Sequence, residues 1–363
     1  MRVEYSYLKQ QYDPAKRLTR AILDDIDKLF RDGDFTLGWP VRRFEEAFQE
    51  KFHVKHAIGV SNGTDALALS LKAMGFDNGR EWVVTVPNSF VATAGAILQA
   101  GANIRFVDVK GDYLIDKDAA HKAPARCVIG VDLTGCPVRW DSNDNWLEGK
   151  RYIRDAAQAI GAEVDGVSVA NLGDAVCFSL HPLKNLNVAG DGGVVSTNSD
   201  EVAAMVRLLR NHGLSDRDTL VTPGFNHRLA SLQAIGAYHQ MVWQGPEELD
   251  WVTERRIANA RRYDALLMTC PMVRIPPRDP RVKAVYHTYM IRVQRRAELR
   301  AWLAPFGIET KIHYPVPIHL QPGYSGLGHG PGAFPETEQQ AGEILSLPIH
   351  QYLTEDEIEC VAT

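Results

Sequence analysis

The sequence is poor in the features that define several classes of protein. Its five cysteines are scattered over 363 residues, with no Cys-x-x-Cys pair to hold zinc or exchange disulfides. The net charge of −5 provides no basic excess that would favour nucleic acid. No apolar run is long enough to span a bilayer, and the first residues lack a signal peptide's apolar core. These absences predict a cytoplasmic protein with free thiols and without nucleic-acid or membrane partners.

The composition is that of a globular protein, with 45% hydrophobic and 23% charged residues. The length is sufficient for about two domains. Short apolar runs alternate with stretches of helical periodicity. The predicted strands cover residues 56–60, 82–87, 103–109, 127–133, 175–180 and 193–197. The predicted helices between and after them cover residues 64–74, 89–99 and 199–210.

This alternation predicts an α/β fold, because strands joined through helices pair in parallel through right-handed crossovers. We therefore expect a large mixed, mainly parallel sheet sandwiched by helices, with ligands beyond the carboxyl ends of its strands. The pattern changes near Gly245, where a charged helical stretch at 247–267 follows. The sequence predicts a large domain of residues 1–245, with an N-terminal arm at 1–33, and a smaller C-terminal α+β domain of residues 246–363.

Lys184 follows the predicted strand at 175–180 and precedes the glycine-rich turn at 190–193. Lysine is almost never fully buried unless it is paired or used, so this position points to an amine held for chemistry. A surface lysine in a loop explains the same residues equally well.

Two further segments at strand ends carry candidate ligands. Gly63 and Thr64 join a strand to a helix, where free backbone N–H groups and the helix dipole can hold a phosphate. The alternative is an ordinary helix cap made by Asn62 or Thr64. Asp155 follows an apolar pair and needs a cation if it is buried, although it could equally cap a helix.

Phe90 begins a predicted helix and could stack on a planar ligand, or simply belong to the core. A phosphate cradle, an acid, an aromatic ring and a lysine together predict a site for pyridoxal 5′-phosphate (PLP). There the lysine forms the Schiff base, the aspartate keeps the pyridine nitrogen protonated, and the phosphate anchors the cofactor.

From about residue 34 onward the chain resembles the DegT/DnrJ/EryC1/StrS sugar aminotransferases, which are PLP enzymes of fold type I with an aspartate-aminotransferase-like architecture. The resemblance rests on nine motifs in the family's order. They are GWPVRRFE (38–45), NGTDAL (62–67), NSFVAT (88–93), DAAQ (155–158), SLHPLKNL (179–186), GDGG (190–193), GFNHR (224–228), HYPVPIH (313–319) and LPIH (347–350).

The resemblance implies a role for each cofactor-side residue. Lys184 would carry the cofactor and move the proton, Asp155 would pair with the pyridine nitrogen, and Gln158 would contact the ring hydroxyl. Phe90 would lie on the ring face. The phosphate would be held by Gly63, Thr64 and Ser179.

Three more residues are implied outside that set. Asn226 matches a residue that reaches the phosphate from the neighbouring subunit in relatives, which implies a homodimer with shared active sites. His313 and His319 match the segment that lines the sugar pocket. A metal pair or plain loop histidines would be alternatives for these two, but no third ligand stands at a fitting spacing, so no metal is expected.

Two segments depart from the family pattern. Residues 131–135 (VDLTG) replace a His-Leu-Tyr-Gly type segment beside the cofactor, and residues 78–82 (NGREW) replace a Gly-Asp-Glu turn that we expect on the surface. The first departure weakens any assignment of the substrate by analogy.

The resemblance implies ping-pong transamination from L-glutamate or glutamine to a keto-deoxysugar. The segment 314–322 is similar to enzymes that aminate C3, so a nucleotide-linked 3-keto sugar is favoured over C4 ketones or aldehydes of unactivated acidic sugars. A PLP-dependent sugar dehydratase would have histidine in place of Lys184. A non-catalytic PLP-binding regulator stays open. A nicotinamide dehydrogenase would need a Gly-x-Gly-x-x-Gly turn that 59–64 lacks.

Overall fold

A computed structural model describes residues 2–139 and 145–363. Helices occur along the whole described chain. They are α1 (Leu8–Gln11), α2 (Arg17–Asp32), α3 (Trp39–Phe52), α4 (Gly63–Ala73), α5 (Val91–Ala100), α6 (Lys117–Lys122), α7 (Asp200–Arg210), α8 (Ser231–Val242), α9 (Leu249–Leu267), α10 (Arg296–Leu303), α11 (Pro335–Glu343) and α12 (Glu355–Ala362).

The strands fall into one large sheet and two small ones. They are β1 (His56–Val60), β2 (Trp82–Thr85), β3 (Asn103–Phe106), β4 (Cys127–Val131), β5 (Arg151–Asp155), β6 (Glu163–Val164), β7 (Val167–Ser168), β8 (Ala175–Ser179), β9 (Gly193–Thr197), β10 (Val282–Lys283), β11 (Tyr289–Arg292) and β12 (Ile344–Leu347).

The large sheet has the strand order β1-β9-β8-β5-β4-β2-β3. The pairs among β8, β5, β4, β2 and β3 are parallel, and β9 is antiparallel to both β1 and β8. The chain reverses between β8 and β9 because residues 180–192 contain no crossover helix. The predicted mixed, mainly parallel sheet is confirmed, and Lys184 lies in this reversing connection.

Within the large sheet, β5 is the strand that the sequence pattern missed, since Arg151 and Arg154 interrupt its apolar run. Arg154 is fully buried in spite of its charge. Its Nη1 donates to both carboxylate oxygens of Asp132, at 2.7 and 2.9 Å. Asp132 stands 22 residues earlier in the chain, so local periodicity could not reveal the partner that makes this strand possible.

Helices cover both faces of the large sheet, as predicted. Successive strand residues point to opposite faces. Accordingly, Ile58 and Val195 pack in a cluster with helices α4, α5 and α7, whereas Ala57 and Val194 pack in another with α3 and α8. The sheet therefore separates two apolar layers.

The C-terminal residues form a smaller unit in which β11 and β12 pair antiparallel. Its apolar cluster gathers side chains from α9, α10, α12 and both strands. Val3 of the N-terminal arm joins the same cluster and forms a parallel bridge with Ile308. The division of the chain near residue 245 stays a prediction, and the arm connects the two regions. None of the described helices has the length and apolar character needed to cross a membrane.

Candidate active site

The carboxyl ends of β1, β2, β4, β5 and β8 meet at one edge of the large sheet, because β1 is parallel to β8 across the shared neighbour β9. In α/β sheets this is the edge at which ligands bind. The last residues of these strands and the segments that follow them carry Thr64, Phe90, Asp155, Ser179 and Lys184.

Asp155 ends β5 and is buried, with 6% of its surface exposed. The Thr93 hydroxyl donates to Oδ2 at 2.7 Å, and the Ala157 N–H donates to Oδ1 at 3.2 Å. Burial raises the pKa of the carboxyl, while Thr93, Ala157 and the charge of Lys184 oppose that shift. The carboxylate is therefore held in place by two donors and would be stabilised further by a cation.

Lys184 is partly buried within the connection between β8 and β9. Its carbonyl accepts hydrogen bonds from the Tyr7 hydroxyl at 3.0 Å and from Asn187 Nδ2 at 2.9 Å. Burial lowers the pKa of the amine to about 8, against the opposing charge of Asp155. This is not the environment of a freely solvated surface lysine, and the amine can exchange its proton near neutral pH.

Gly63 and Thr64 form the first turn of α4. Asn62 caps this helix, since its side chain accepts the Asp65 N–H at 2.8 Å. The cap uses the Asp65 N–H and not those of Gly63 and Thr64, so the cap and the phosphate cradle are compatible. A Cβ on Gly63 would stand 2.9 Å from the Cβ of Ser179. Only glycine lets the helix start lie this close to Ser179.

Gln158 and Phe90 are placed on two sides of Tyr314. Gln158 Oε1 accepts the Thr134 N–H at 2.8 Å, and its Nε2 lies 3.5 Å from the Tyr314 hydroxyl. The Phe90 ring is 5.6 Å from the Tyr314 ring. Because 54% of Phe90 is exposed, it is a ring presented at the surface of the site rather than a core residue.

The two candidate histidines lie in different places. His313 Nδ1 is 2.9 Å from Ser346 Oγ, and burial together with the Lys184 charge lowers its pKa to about 4. His319 is almost fully buried, and its Nε2 lies 3.1 Å from Glu338. His313 is therefore a neutral imidazole near Lys184, whereas His319 is enclosed by the segment that carries Glu338.

Asn226 is exposed and forms a β-bridge with Asn211. The adjacent His227 carbonyl accepts the Ser61 N–H at 2.9 Å, so this segment runs beside the turn that leads into the cradle. Phe225, Leu220 and Val221 in the same segment expose 40%, 63% and 58% of their surfaces. An apolar exposed patch of this kind is typical of an interaction surface.

The two departures from the family pattern also find their places. Asp132 is buried as the partner of Arg154, and the Thr134 N–H orients Gln158. The altered segment therefore contributes to the site through its backbone, whereas Asn78 and Arg80 are exposed as expected.

Sequence reasoning missed a group of residues beside Lys184, namely Tyr5 and Tyr7 of the N-terminal arm, Arg256 of α9, and His287. A signal for Arg256 was present. Leu249, Val252, Arg256 and Tyr263 recur at helical spacing on the buried face of α9, which places an arginine in an apolar stripe. No comparable local signal brings the arm to the site, since its contacts span nearly 180 residues of sequence.

The residues present fit PLP. The site offers a buried carboxylate for a cationic ring nitrogen, a desolvated amine, and a close-packed helix start for a phosphate. Among the described residues no group of three His, Cys, Asp or Glu side chains is arranged to hold a metal ion.

Comparison with known proteins agrees with this geometry. The sequence model of the DegT/DnrJ/EryC1/StrS aminotransferase family matches residues 16–363. The chain is 37% identical to a "Pleiotropic regulatory protein" of Geobacillus stearothermophilus, over 99% of this chain and 97% of that protein. It is 34% identical to the dTDP-3-amino-3,4,6-trideoxy-alpha-D-glucose transaminase of Streptomyces venezuelae, over 97% and 92% of the two chains.

Among solved structures, the fold matches S. venezuelae DesV, described in complex with a ketimine intermediate. The TM-score is 0.93 at 33% identity, over 99% of this chain and 98% of that chain. The expected family, fold, cofactor and reaction class are all confirmed. The chain belongs to the DegT/DnrJ/EryC1/StrS aminotransferase family and is a PLP-dependent sugar aminotransferase.

Proposed function

We propose that the protein transfers an amino group from L-glutamate to the C3 ketone of a nucleotide-linked deoxysugar. The observation that carries the reaction class is the pairing of a buried carboxylate, Asp155, with a desolvated amine, Lys184, at one sheet edge. The preference for C3 rests on the segment 314–322 and on the S. venezuelae relative, which is named for a dTDP-linked 3-amino sugar.

PLP, when bound, supplies an electron sink that stabilises negative charge on the carbon next to the transferred nitrogen. Asp155 would hold the ring nitrogen in its protonated form, because a buried carboxylate stabilises an adjacent cation. The Thr93 hydroxyl fixes Oδ2 of that carboxylate at 2.7 Å, so its direction is set before any ligand arrives.

Lys184 would link the cofactor to the chain and then act as general base and general acid. A pKa of about 8 leaves both forms of the amine populated near neutral pH, which suits a group that must take up a proton and return it. The hydrogen bonds from Tyr7 and Asn187 to its carbonyl fix the backbone from which the amine reaches the site.

The remaining cofactor contacts are assigned from the positions of the residues at the sheet edge. Gly63, Thr64 and Ser179 would hold the phosphate through backbone N–H and hydroxyl groups. Gln158 would orient the ring hydroxyl with its amide, whose oxygen is already fixed by Thr134. Phe90 would cover the ring face.

On the sugar side, we assign His313 as a neutral hydrogen-bonding group, because burial keeps its pKa near 4. The contribution of His319 would be indirect. It contacts Glu338, which accepts the N–H groups of Gly332 and Phe334 at the end of the glycine-rich loop formed by residues 323–332. His319 would therefore fix that loop rather than touch the sugar.

We further propose a homodimer in which Asn226 completes the phosphate site of the partner subunit. The exposed apolar residues around Asn226 and its place beside the cradle support this arrangement. A cytoplasmic location stays a prediction.

Mixing two inactive variants tests the shared site. Lys184→Ala and Asn226→Ala dimers, unfolded and refolded together, form hybrids with one intact site if Asn226 acts across the interface. About a quarter of the parental activity is then expected, since half of the dimers are hybrids and each has one working site of two. Activity that stays at the level of the separate variants, or a fully active monomer, would contradict the proposal.

The acceptor is tested with the PLP-loaded protein, L-glutamate and a panel of dTDP- and UDP-linked keto-sugars with the ketone at C3 or C4. We expect release of 2-oxoglutarate with the 3-keto sugars. Turnover confined to 4-keto or unactivated sugars would move the assignment to those acceptors. Binding of PLP without any turnover would favour the regulatory alternative, which the name of the G. stearothermophilus relative makes a specific rival.

A further inference from the structure

A small cavity lies behind Lys184, between the N-terminal arm and the C-terminal unit. Its volume is about 50 Å³, and the residues that matter in its lining are Tyr7, Arg256, His287, Thr288, His313 and His350. One water needs roughly 10–15 Å³ of such space, and a site for a drug-sized ligand roughly 300 Å³. The cavity therefore suits a small polar group and excludes a nucleotide sugar.

Arg256 is the charged group of this cavity, and only 1% of its surface is exposed. Its Nε donates to Gln351 Oε1 at 3.2 Å, and its Nη1 donates to the carbonyl oxygens of Tyr286 and His287 at 3.2 and 3.3 Å. Its Nη2 has no hydrogen-bond partner among the described residues.

The guanidinium faces phenol rings instead of a carboxylate. The Tyr7 ring centroid is 5.1 Å from Cζ, while the Tyr7 hydroxyl donates to the Lys184 carbonyl. In the part of the chain that the structure covers, the titratable groups that act on Arg256 are phenols, and no carboxylate is among them. Buried charges in proteins are normally paired, so a cation left open in this way indicates an anion that is not part of the chain.

A second donor points to the same conclusion. Thr288 is 3% exposed, and its hydroxyl has no partner within the described chain. His287 Nδ1 is likewise buried and unpartnered. His350 differs, because its Nε2 faces the Glu4 carbonyl and must donate, which leaves its Nδ1 an acceptor. The donors available to an anion are therefore Arg256 and Thr288, with His287 able to add one.

The cavity also lies near the reacting amine, because the Lys184 charge acts on two of its lining residues, His287 and His313. Tyr7 contacts the Arg256 side chain on one side and the Lys184 backbone on the other. The charges of Lys184 and Arg256 both act on His287. A molecule with its amino group at Lys184 could therefore extend a second charged group toward Arg256.

We propose that this cavity binds a carboxylate of the amino donor, with Arg256 as the cationic anchor and Thr288 as a second hydrogen-bond donor. The proposal rests on the transaminase function proposed above and deepens it, because it assigns the donor side of the site. It also favours glutamate, whose two carboxylates offer an anion at either end, over amines without a carboxylate.

The test separates the two half-reactions of the PLP-loaded enzyme. Arg256→Gln and Arg255→Gln form a matched pair on α9, since Arg255 is exposed and donates to the carbonyl oxygens of Gln351 and Leu353. Single-turnover absorbance changes would be followed for the pyridoxal form of the enzyme with L-glutamate and, separately, for the pyridoxamine form with the keto-sugar.

For Arg256→Gln we expect the apparent Kd for L-glutamate to rise roughly 10- to 100-fold, as is typical when a charged hydrogen bond is lost. The Kd for the keto-sugar should change less than about threefold, and Arg255→Gln should leave both unchanged. Equal losses in the two half-reactions, or an unchanged glutamate Kd, would overturn the assignment.

Direct binding provides a readout that does not depend on turnover. Glutarate has two carboxylates and no amine, so its calorimetric Kd for the PLP-loaded enzyme should also rise roughly 10-fold or more in Arg256→Gln. Should that variant fail to fold by circular dichroism, Thr288→Val carries the test, with an expected rise of about 3- to 10-fold. Equal glutarate binding in a folded variant and the parent would refute the proposal. A parent enzyme that reacts with neither substrate would instead refute the proposed function.

Discussion

Arg154 and Arg256 are the most deeply buried arginines among the described residues, and their surroundings are opposite. Arg154, in the centre of the large sheet, binds both oxygens of Asp132 and donates to the carbonyl oxygens of Val138 and Leu172. Arg256, near the reactive lysine, has no hydrogen-bond partner for Nη2 within residues 2–139 and 145–363. The first charge is neutralised by the chain itself and the second is not. A buried charge that is paired within the chain stabilises the fold, whereas a buried charge without a partner in the chain indicates a ligand.

The same distinction separates other polar groups. The carboxylate of Glu45, in α3, pairs with the guanidinium of Arg210 in α7 across the sheet edge. Asp155 and Lys184, in contrast, are desolvated with only partial compensation, and their pKa values shift in the directions that burial dictates. Perturbed groups of this kind concentrate at functional sites. Substitutions in the two sets should therefore affect different properties.

The largest effect is expected for Lys184→Ala. Turnover should fall by at least roughly 10⁴-fold, since the covalent link and the proton carrier are lost together. The visible absorbance of bound PLP should disappear along with its sensitivity to borohydride. The free energy of unfolding of the cofactor-free protein should not decrease, because a desolvated amine is removed. A persistent absorbance band would assign the linkage to another residue.

Asp132→Asn should produce the next largest effect, and on stability. Removing this carboxylate leaves Arg154 buried without its counter-charge, which typically costs about 3–5 kcal/mol. Urea or guanidinium unfolding monitored by circular dichroism measures the loss. Asp200→Asn, at an exposed pair with Lys55, is the control and should change little. Equal stability of the two variants would show that Arg154 does not need Asp132 as its counter-charge, and the proposed difference between Arg154 and Arg256 would be lost.

Asp155→Asn should lower turnover by roughly 10²-fold, the usual contribution of one fixed electrostatic contact. The unfolding free energy should stay near the parental value, because the amide oxygen can still accept from Thr93. Steady-state kinetics and denaturant unfolding on the same preparation check both halves of this expectation. A large loss of stability with unchanged turnover would show that Asp155 stabilises the fold and does not take part in the reaction.

The smallest effect concerns pH. The free amine of Lys184 attacks PLP only when unprotonated, and its pKa is lowered from 10.5 to about 8. The rate of covalent PLP uptake by the cofactor-free protein should therefore rise about tenfold per pH unit below 8 and level off above it. Asp155→Asn should move this midpoint lower, since the aspartate charge raises the lysine pKa. Uptake that keeps rising to pH 10 would show an ordinary, solvated lysine.

Much of the fold could be predicted because its signals are local. The strand runs, the helix start at Asn62 and the cap at Ser199 each depend on a few adjacent residues, and the structure contains all of them. The antiparallel course of β9 and the existence of β5 were not evident. The first depends on how a connection of 13 residues turns, and the second on a charge partner, Asp132, that lies just beyond the end of β4.

The candidate site divides in the same way. Lys184, Asp155 and the cradle at Gly63 could be found from strand ends and motif order, since chain direction brings them to one edge. The separation of His313 from His319 could not, because burial beside Glu338 depends on how the segment around α11 packs. The hydrogen bond from the Tyr7 hydroxyl to the Lys184 carbonyl could not be predicted either.

The sequence by itself determined which residue types stand at the strand ends and in what order, and therefore the family and the cofactor. Those properties depend on short segments, because periodicity and backbone geometry determine local structure over only a few residues. The tertiary structure alone decided which charges are neutralised. Among the described residues, Arg154 has a carboxylate partner and Arg256 has none. This difference depends on contacts between elements that are distant in the chain, and only the packed fold brings such elements together.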